Sequence, residues 1–288
     1  MLALLVAVLA SGRNHPMAMV VDQDAVYWIE SDGSNGGGQL VSVPKTGGTP
    51  TVLTNIGIGS NMGELVSDGE YLFFTDLGGK VRRVHRRGGW VETIAWDERG
   101  ARNLTIEGDW LYWLANFGRL RRIRRSSGLA ETVRSDLGGA SAMAFAEDAL
   151  YVFDPWRGVV RYASGALGPT VVLPARGAGT KLISRNGEVY VVFAGLAARR
   201  FATQPATGTV MRLGPEGAVV LASGQNVPGV DVAATRGFMY WINGGDHALM
   251  RVGIAGGAPE RVTDAVRFVA DESGVYAATA EGAIVKVE

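Results

Sequence analysis

One short aromatic motif returns along the whole of this 288-residue chain. Its copies are Val26-Tyr27-Trp28-Ile29-Glu30, Leu72-Phe73-Phe74-Thr75-Asp76, Leu111-Tyr112-Trp113-Leu114-Ala115, Leu150-Tyr151-Val152-Phe153-Asp154, Val189-Tyr190-Val191-Val192-Phe193, Met239-Tyr240-Trp241-Ile242-Asn243 and Val275-Tyr276-Ala277-Ala278-Thr279. The anchor aromatics Tyr27, Phe73, Tyr112, Tyr151, Tyr190, Tyr240 and Tyr276 are spaced by 46, 39, 39, 39, 50 and 36 residues. A fixed period of about 40 residues means stacked units, none of which can bury its apolar face alone. Around Tyr112 the unit reads as four short segments: Asn103 to Ile106, the Tyr112 run, Leu120 to Arg124, and Ala130 to Val133. Gly, Ser, Asn or Asp bounds each of them, which is strand-and-turn chemistry. No stretch keeps a helical apolar period for as long as a helix would need. Four strands per unit, repeated seven times, predict an all-β chain folded as a seven-bladed β-propeller.

First strands are predicted to begin near Met17, Gly63, Arg102, Ser141, Thr180, Val230 and Val266. The start of the chain, Leu2 to Ala10, is apolar like the end of a signal peptide, but it lacks a basic lead and is short. Val8-Leu9-Ala10-Ser11-Gly12 also repeats Val220-Leu221-Ala222-Ser223-Gly224, an outer strand and its turn. The 12 residues after Tyr276 plus the 27 up to Tyr27 make 39, the regular spacing. Residues 1–12 are therefore expected as the outer strand of the last blade, within one domain spanning 1–288. Such pairing of the N-terminal strand with the C-terminal blade hides sheet edges that invite aggregation.

Composition narrows the partners. Lys+Arg and Asp+Glu are both 28, so no global field favours nucleic acid or an acidic surface. Zero cysteine excludes disulfides, thiolate metal sites and cysteine nucleophiles. No apolar run approaches the roughly 18–20 residues of a membrane span. A monomer without a nucleic-acid partner is expected.

The second-strand motif resembles the YWTD repeat of lipoprotein-receptor propellers. Here it reads Tyr-Trp-Ile-Glu, Phe-Phe-Thr-Asp, Tyr-Trp-Leu-Ala and Tyr-Trp-Ile-Asn in its better copies. The third-strand segment Gly208-Thr209-Val210-Met211-Arg212-Leu213 and the turns Lys45 to Pro50 and Gly256 to Pro259 look like bacterial secreted propellers of that type. The resemblance implies a six- or seven-bladed binding platform, outside the cytoplasm and without catalysis. It implies no ligand, because the cysteine-rich modules that accompany the receptors are absent.

Several residue sets are candidates for chemistry. Ala18, Glu64, Asn103, Ala142, Lys181, Asp231 and Arg267 each lie nine residues before an anchor, and the residues following them are apolar. Period-two alternation turns the first set toward a central channel. With Glu64, Asn103, Lys181, Asp231 and Arg267 mixed in charge, this set reads as a salt-bridged lining. A small-ligand site at the channel mouth and lactonase-like metal-dependent hydrolysis are the alternatives; no metal or other cofactor is expected. His15, His85 and His247 carry no catalytic motif and read as surface residues. The basic runs Arg82 to Arg87 and Arg119 to Arg125 read as third strands whose arginines are balanced by Glu92 and Glu131. Gly36-Gly37-Gly38 lacks the lysine and helix of a phosphate loop and reads as a turn. Long inserts fall between the second and third strands of blade 1 (Ser31 to Gly38) and blade 5 (Gly195 to Gly208). In repeat folds such inserts mark the binding face. On it fall Trp96, Phe117, Trp156, Arg157, Arg199, Arg200 and Phe201, aromatic and arginine types that carry energy at interfaces. The alternative is that Trp156 folds over its own turn and Phe117 tucks under its loop. The expected function is non-enzymatic recognition of a protein or peptide on that face. A channel-mouth enzyme of the propeller hydrolase or lyase type is the alternative.

Overall fold

The computed structural model describes residues 6–33, 37–57, 64–76, 78–195, 197–199, 202–203, 206–214 and 217–287, with the side chains of 180, 197–199 and 202–203 left out. The chain is an all-β, seven-bladed propeller, each blade a four-stranded antiparallel sheet. Blade 3 shows the plan: Arg102–Glu107, Trp110–Ala115, Arg119–Arg124 and Glu131–Arg134, from innermost to outer strand. The seven innermost strands begin at Ala18, Leu65, Arg102, Ala142, Ala178, Pro228 and Arg267. Blade 7 is a composite, with Arg267–Asp271, Gly274–Ala278 and Ile284–Val287 completed by Val6–Ala10. Val6 faces Val287 and Ala10 faces Ile284 in that antiparallel pair. Each of the seven pairs of third and outer strand carries a register shift, and such bulges sharpen strand twist.

The strands group into two compact units. Met1–Asp136 with Val266–Glu288 holds blades 7, 1, 2 and 3; Leu137–Ala265 holds blades 4, 5 and 6. In the first unit, alternation along the second strand sends successive side chains to two different cores. Tyr276 packs with blade 1, Tyr27 with blade 2 and Phe73 with blade 3. The residue after each anchor points the other way: Trp28 toward blade 7, Phe74 toward blade 1 and Trp113 toward blade 2. The second unit repeats this, with Val191 and Phe193 facing blade 4 and Tyr190 and Val192 facing blade 6.

The buried indoles each need an acceptor. Trp28 donates to Glu30 (2.6 Å), Trp113 to Glu98 (2.9 Å) and Trp241 to Asn243 (3.1 Å). Glu30 and Glu98 are essentially inaccessible, at 0% and 2% exposure. Arg13 neutralises the first and Gln39 donates a further bond to it, and Arg121 neutralises the second. Leaving one of these donors without its acceptor would cost about 1–3 kcal/mol.

A second device recurs at the opposite end of the sheets in the first unit. The aspartate of the turn after the innermost strand accepts backbone N–H bonds from its own turn. It also takes a cation from the end of the next blade's third strand. Arg86 reaches Asp22 (3.1 Å), Arg125 reaches Asp68 (2.7 Å) and Lys45 reaches Asp271. Burial alone would raise these three carboxyls, but the hydrogen bonds and cations outweigh it and hold all three below the usual aspartate range. Asp22 also accepts the Tyr27 hydroxyl, which burial and that carboxylate push up to about 12.

Two outcomes follow from these contacts. Deleting residues 1–12 removes a strand whose Leu9 and Ala10 are buried and bares the Ile284–Val287 edge. Calorimetry should then show a melting temperature lower by several degrees or more, with aggregation on heating. The lowered carboxyls stabilise the fold above the unfolded aspartate value of about 3.9, and that stability is lost as pH falls through their folded values. Asp68→Asn should cost about 1–3 kcal/mol at pH 7 in urea denaturation, with the deficit shrinking below about pH 4.

Candidate functional site

In each sheet the antiparallel order brings the loop between second and third strands to the same end as the linker to the next blade. In blades 2 and 3 three such segments are stitched together. Glu98 N–H donates to Gly79 O (2.8 Å), and Asn116 N–H to Arg99 O (3.1 Å). Gly79 and Gly100 sit at φ 77° and 69°, where glycine is favoured. A side chain on Gly100 would collide with Asn116, and one on Gly79 would press on the Arg99 backbone. Glycine at both positions lets the three segments meet without strain, and together they make a shelf.

The linker residue Glu98 is pinned inward by Trp113 and Arg121. Its neighbours Trp96, Asp97, Arg99 and Gly100 are all exposed, Trp96 at 63%. The Lys80 ammonium sits 5.1 Å from the Trp96 ring centre, a cation–π geometry. On the adjoining turn Phe117 is 90% exposed and holds φ 64°, ψ 28°. A bulky residue in the left-handed region costs about 1–2 kcal/mol, and an exposed phenyl ring returns none of it through burial. Phe117 does not tuck under its loop. Arg119 donates to Asn116 O (3.3 Å), and Arg102 to Gly100 O (3.0 Å), bracing the two turns.

In the other unit, the blade 4 loop carries Trp156 and Arg157. Asp154 accepts N–H bonds from Trp156 (2.8 Å) and Arg157 (3.0 Å) and an ion pair from the Arg157 side chain (2.9 Å). Burial would raise this carboxyl, but the Arg157 side chain and the two amides hold it below the usual range. Trp156 is left 88% exposed rather than folded over its turn. Arg157 is thus partly structural, which its place in the sequence does not reveal. In blade 5's insert, Arg199 ends the strand Ala197–Arg199, with its side chain outside the described residues; Arg200 and Phe201 lie wholly outside them.

The residues expected along the channel are half-buried, apart from Ala18's buried counterpart Ala142, and the apolar residues that follow them are buried or nearly so. The Glu64 carboxylate accepts the Leu104 N–H of the next blade (2.6 Å), and no ion pair of Glu64 is seen among the described residues. Asn103, at φ 54°, lies at the register shift of its strand, which frees that amide from the ladder. Lys181 pairs in register with Val192 and Arg267 with Ala278; Asp231 falls in the irregular stretch between Pro228 and Val232. Among the described residues, no group of three or more His, Asp or Glu is placed to hold a metal ion. His15 contacts Asn14 (2.9 Å), and His85 meets the Tyr71 ring edge-on at 5.7 Å. Arg83 and Arg122 do pair with Glu92 and Glu131 (2.8 and 2.6 Å).

No protein-family model matches the chain, and no curated protein matches it by sequence. Solved structures do match in fold. PorZ, an essential bacterial surface component of the type-IX secretion system of Porphyromonas gingivalis, superposes with a TM-score of 0.68 at 14% identity over 97% of this chain. This chain spans only 37% of that one. YCF48 bound to D1 peptide gives 0.68 at 11% identity, covering 99% and 95% of the two chains. A chain of the nidogen/laminin complex gives 0.58 at 13% identity, covering 82% and 89%. At such identities the likeness is one of fold. No helix among the described residues is long and apolar enough to cross a membrane.

The Phe117 geometry makes a direct prediction. Phe117→Asn, placing a residue that tolerates the left-handed region, should leave stability unchanged or raise it by up to about 1 kcal/mol in thermal denaturation. A loss beyond about 1 kcal/mol would mean that the ring is packed.

Proposed function

We propose that this chain is a non-catalytic recognition platform that holds a protein or peptide partner on its loop-bearing side, with the blade 2–3 shelf as the principal contact. One observation carries the reading: Phe117 is both conformationally strained and exposed, beside an exposed Trp96 on glycine-knit backbone. A partner covering the rings would return both costs, and rigidly presented aromatics are what interface hot spots use. Glu64, spent on a backbone amide, supports a structural rather than catalytic innermost layer. Trp156, with Arg157 held by Asp154, is a separate candidate contact on the other unit; Arg199, Arg200 and Phe201 belong to the same reading.

Neighbouring folds are seen with partners: YCF48 with a peptide, and nidogen with laminin. The Tyr-Trp second strands support a YWTD-type repeat in a single domain. They also support a placement outside the cytoplasm, in keeping with the surface location of PorZ.

The test is photo-cross-linking. A benzophenone amino acid at position 117 should trap a discrete partner in lysate of the source cells, and a scaffold-side position such as Leu129 should not. Trp96→Ala should abolish the trapped species while the melting temperature moves by only about 2 °C or less. Trapping that survives Trp96→Ala, or that is equal from both positions, would remove the shelf from the reading.

A further inference from the structure

Many arginines of blades 2 and 3 are ion-paired, while others, such as Arg124 over the Trp110 ring, have no ion pair among the described residues. Arg82, Arg83, Arg86, Arg121, Arg122 and Arg125 each have a carboxylate partner within 3.1 Å. Arg99 and Arg119, on the shelf, have no ion-pair partner among the described residues, and Lys80 has only the Trp96 ring. The acids nearby are already committed: Glu98 to Arg121 and Trp113, and Asp76 to Arg82 (2.8 Å). That leaves Asp97 as the one exposed carboxylate of the linker. The chain as a whole is neutral, so this excess is local.

Resting on the recognition reading above, we infer that the occupant of the shelf is an acidic peptide segment of a protein partner. An apolar side chain of that segment lies against Trp96 and Phe117, and its carboxylates meet Lys80, Arg99 and Arg119. Guanidinium groups match carboxylates in geometry as well as charge, and Arg119, already held by Asn116 O, loses little freedom on binding. A nucleic acid fits less well. Its backbone needs a track of cations with stacking platforms along it, whereas here two rings and three cations sit on three stitched segments of a chain with no net positive field.

The probe is a short fluorescein-labelled peptide of glutamates alternating with leucine and phenylalanine, titrated by fluorescence anisotropy against the full chain. Two controls run beside it: the same peptide with glutamine for glutamate, and a single-stranded oligonucleotide of equal charge. The acidic peptide should bind about tenfold or more tightly than the glutamine version, and its affinity should fall as salt rises. Arg99→Gln/Arg119→Gln should erase that difference with no change in melting temperature. Should the double variant melt early, Arg99→Glu alone gives the same readout, because no hydrogen bond of the Arg99 side chain is seen among the described residues.

Equal binding of the two peptides would overturn the acidic preference while leaving the aromatic shelf as a recognition surface. No binding of either peptide would overturn this inference, and the cross-linking result then judges the platform reading by itself. Tighter binding of the oligonucleotide would replace the peptide with a nucleic acid.

Discussion

The fold depends on one geometric fact: a β-strand shows its side chains alternately to its two faces, and the second strand of each blade is buried on both. Tyr27 and Trp28 are neighbours in sequence yet serve different cores, one shared with blade 2 and the other with blade 7. A blade cannot lose this strand without damaging two interfaces, and no blade can be stable alone. Large rings fill much of this layer, as Trp28, Phe74 and Trp113 do, while Val152, Val191 and Ala277 take the equivalent place in blades 4, 5 and 7. The indole then brings an N–H into an apolar layer, and Glu30, Glu98 or Asn243 has to follow it.

That requirement shapes the candidate site. In blade 1 the acceptor is two residues along the same strand. In blade 3 that position is Ala115, and the acceptor comes instead from the linker, as Glu98. Drawing Glu98 inward fixes the linker's path and turns its neighbours outward, so that a structural need of the core places Trp96 and Arg99 on the surface. The shelf is therefore anchored to a fully bonded buried carboxylate rather than draped as a free loop, and partners are bound at less entropic cost by such pre-ordered surfaces.

The sequence made the blades legible because double burial imposes aromatic residues at a fixed period, and every innermost strand starts within two residues of its expected position. The pairing of Arg83 with Glu92 and of Arg122 with Glu131 was legible too, since both partners sit on adjacent strands of one hairpin. Contacts between blades were not. Arg125 and Asp68 lie 57 residues apart, and nothing local marks either as the other's partner. The bond made by Glu64 was hidden for a related reason: a bulge at Asn103 freed an amide, and a carboxylate next door took it. Phe117 was legible as a loop aromatic, but its left-handed backbone appears only in three dimensions.

Blade 7 has a consequence for how the molecule comes into being. Val6–Ala10 is made well before Ile284–Val287, so the closing strand leaves the ribosome with its partner still unmade. At about 5–20 residues per second the wait is on the order of tens of seconds. Throughout it an uncharged, β-prone segment stays unpaired, with Val6 and Val8 left outward-facing even in the finished sheet. Sealing this blade is thus a separate late event, governed by the search of one strand for a partner far along the chain. Until it happens, the Val6–Ala10 strand and the outer edge of the blade it completes both stay open to pairing with other chains.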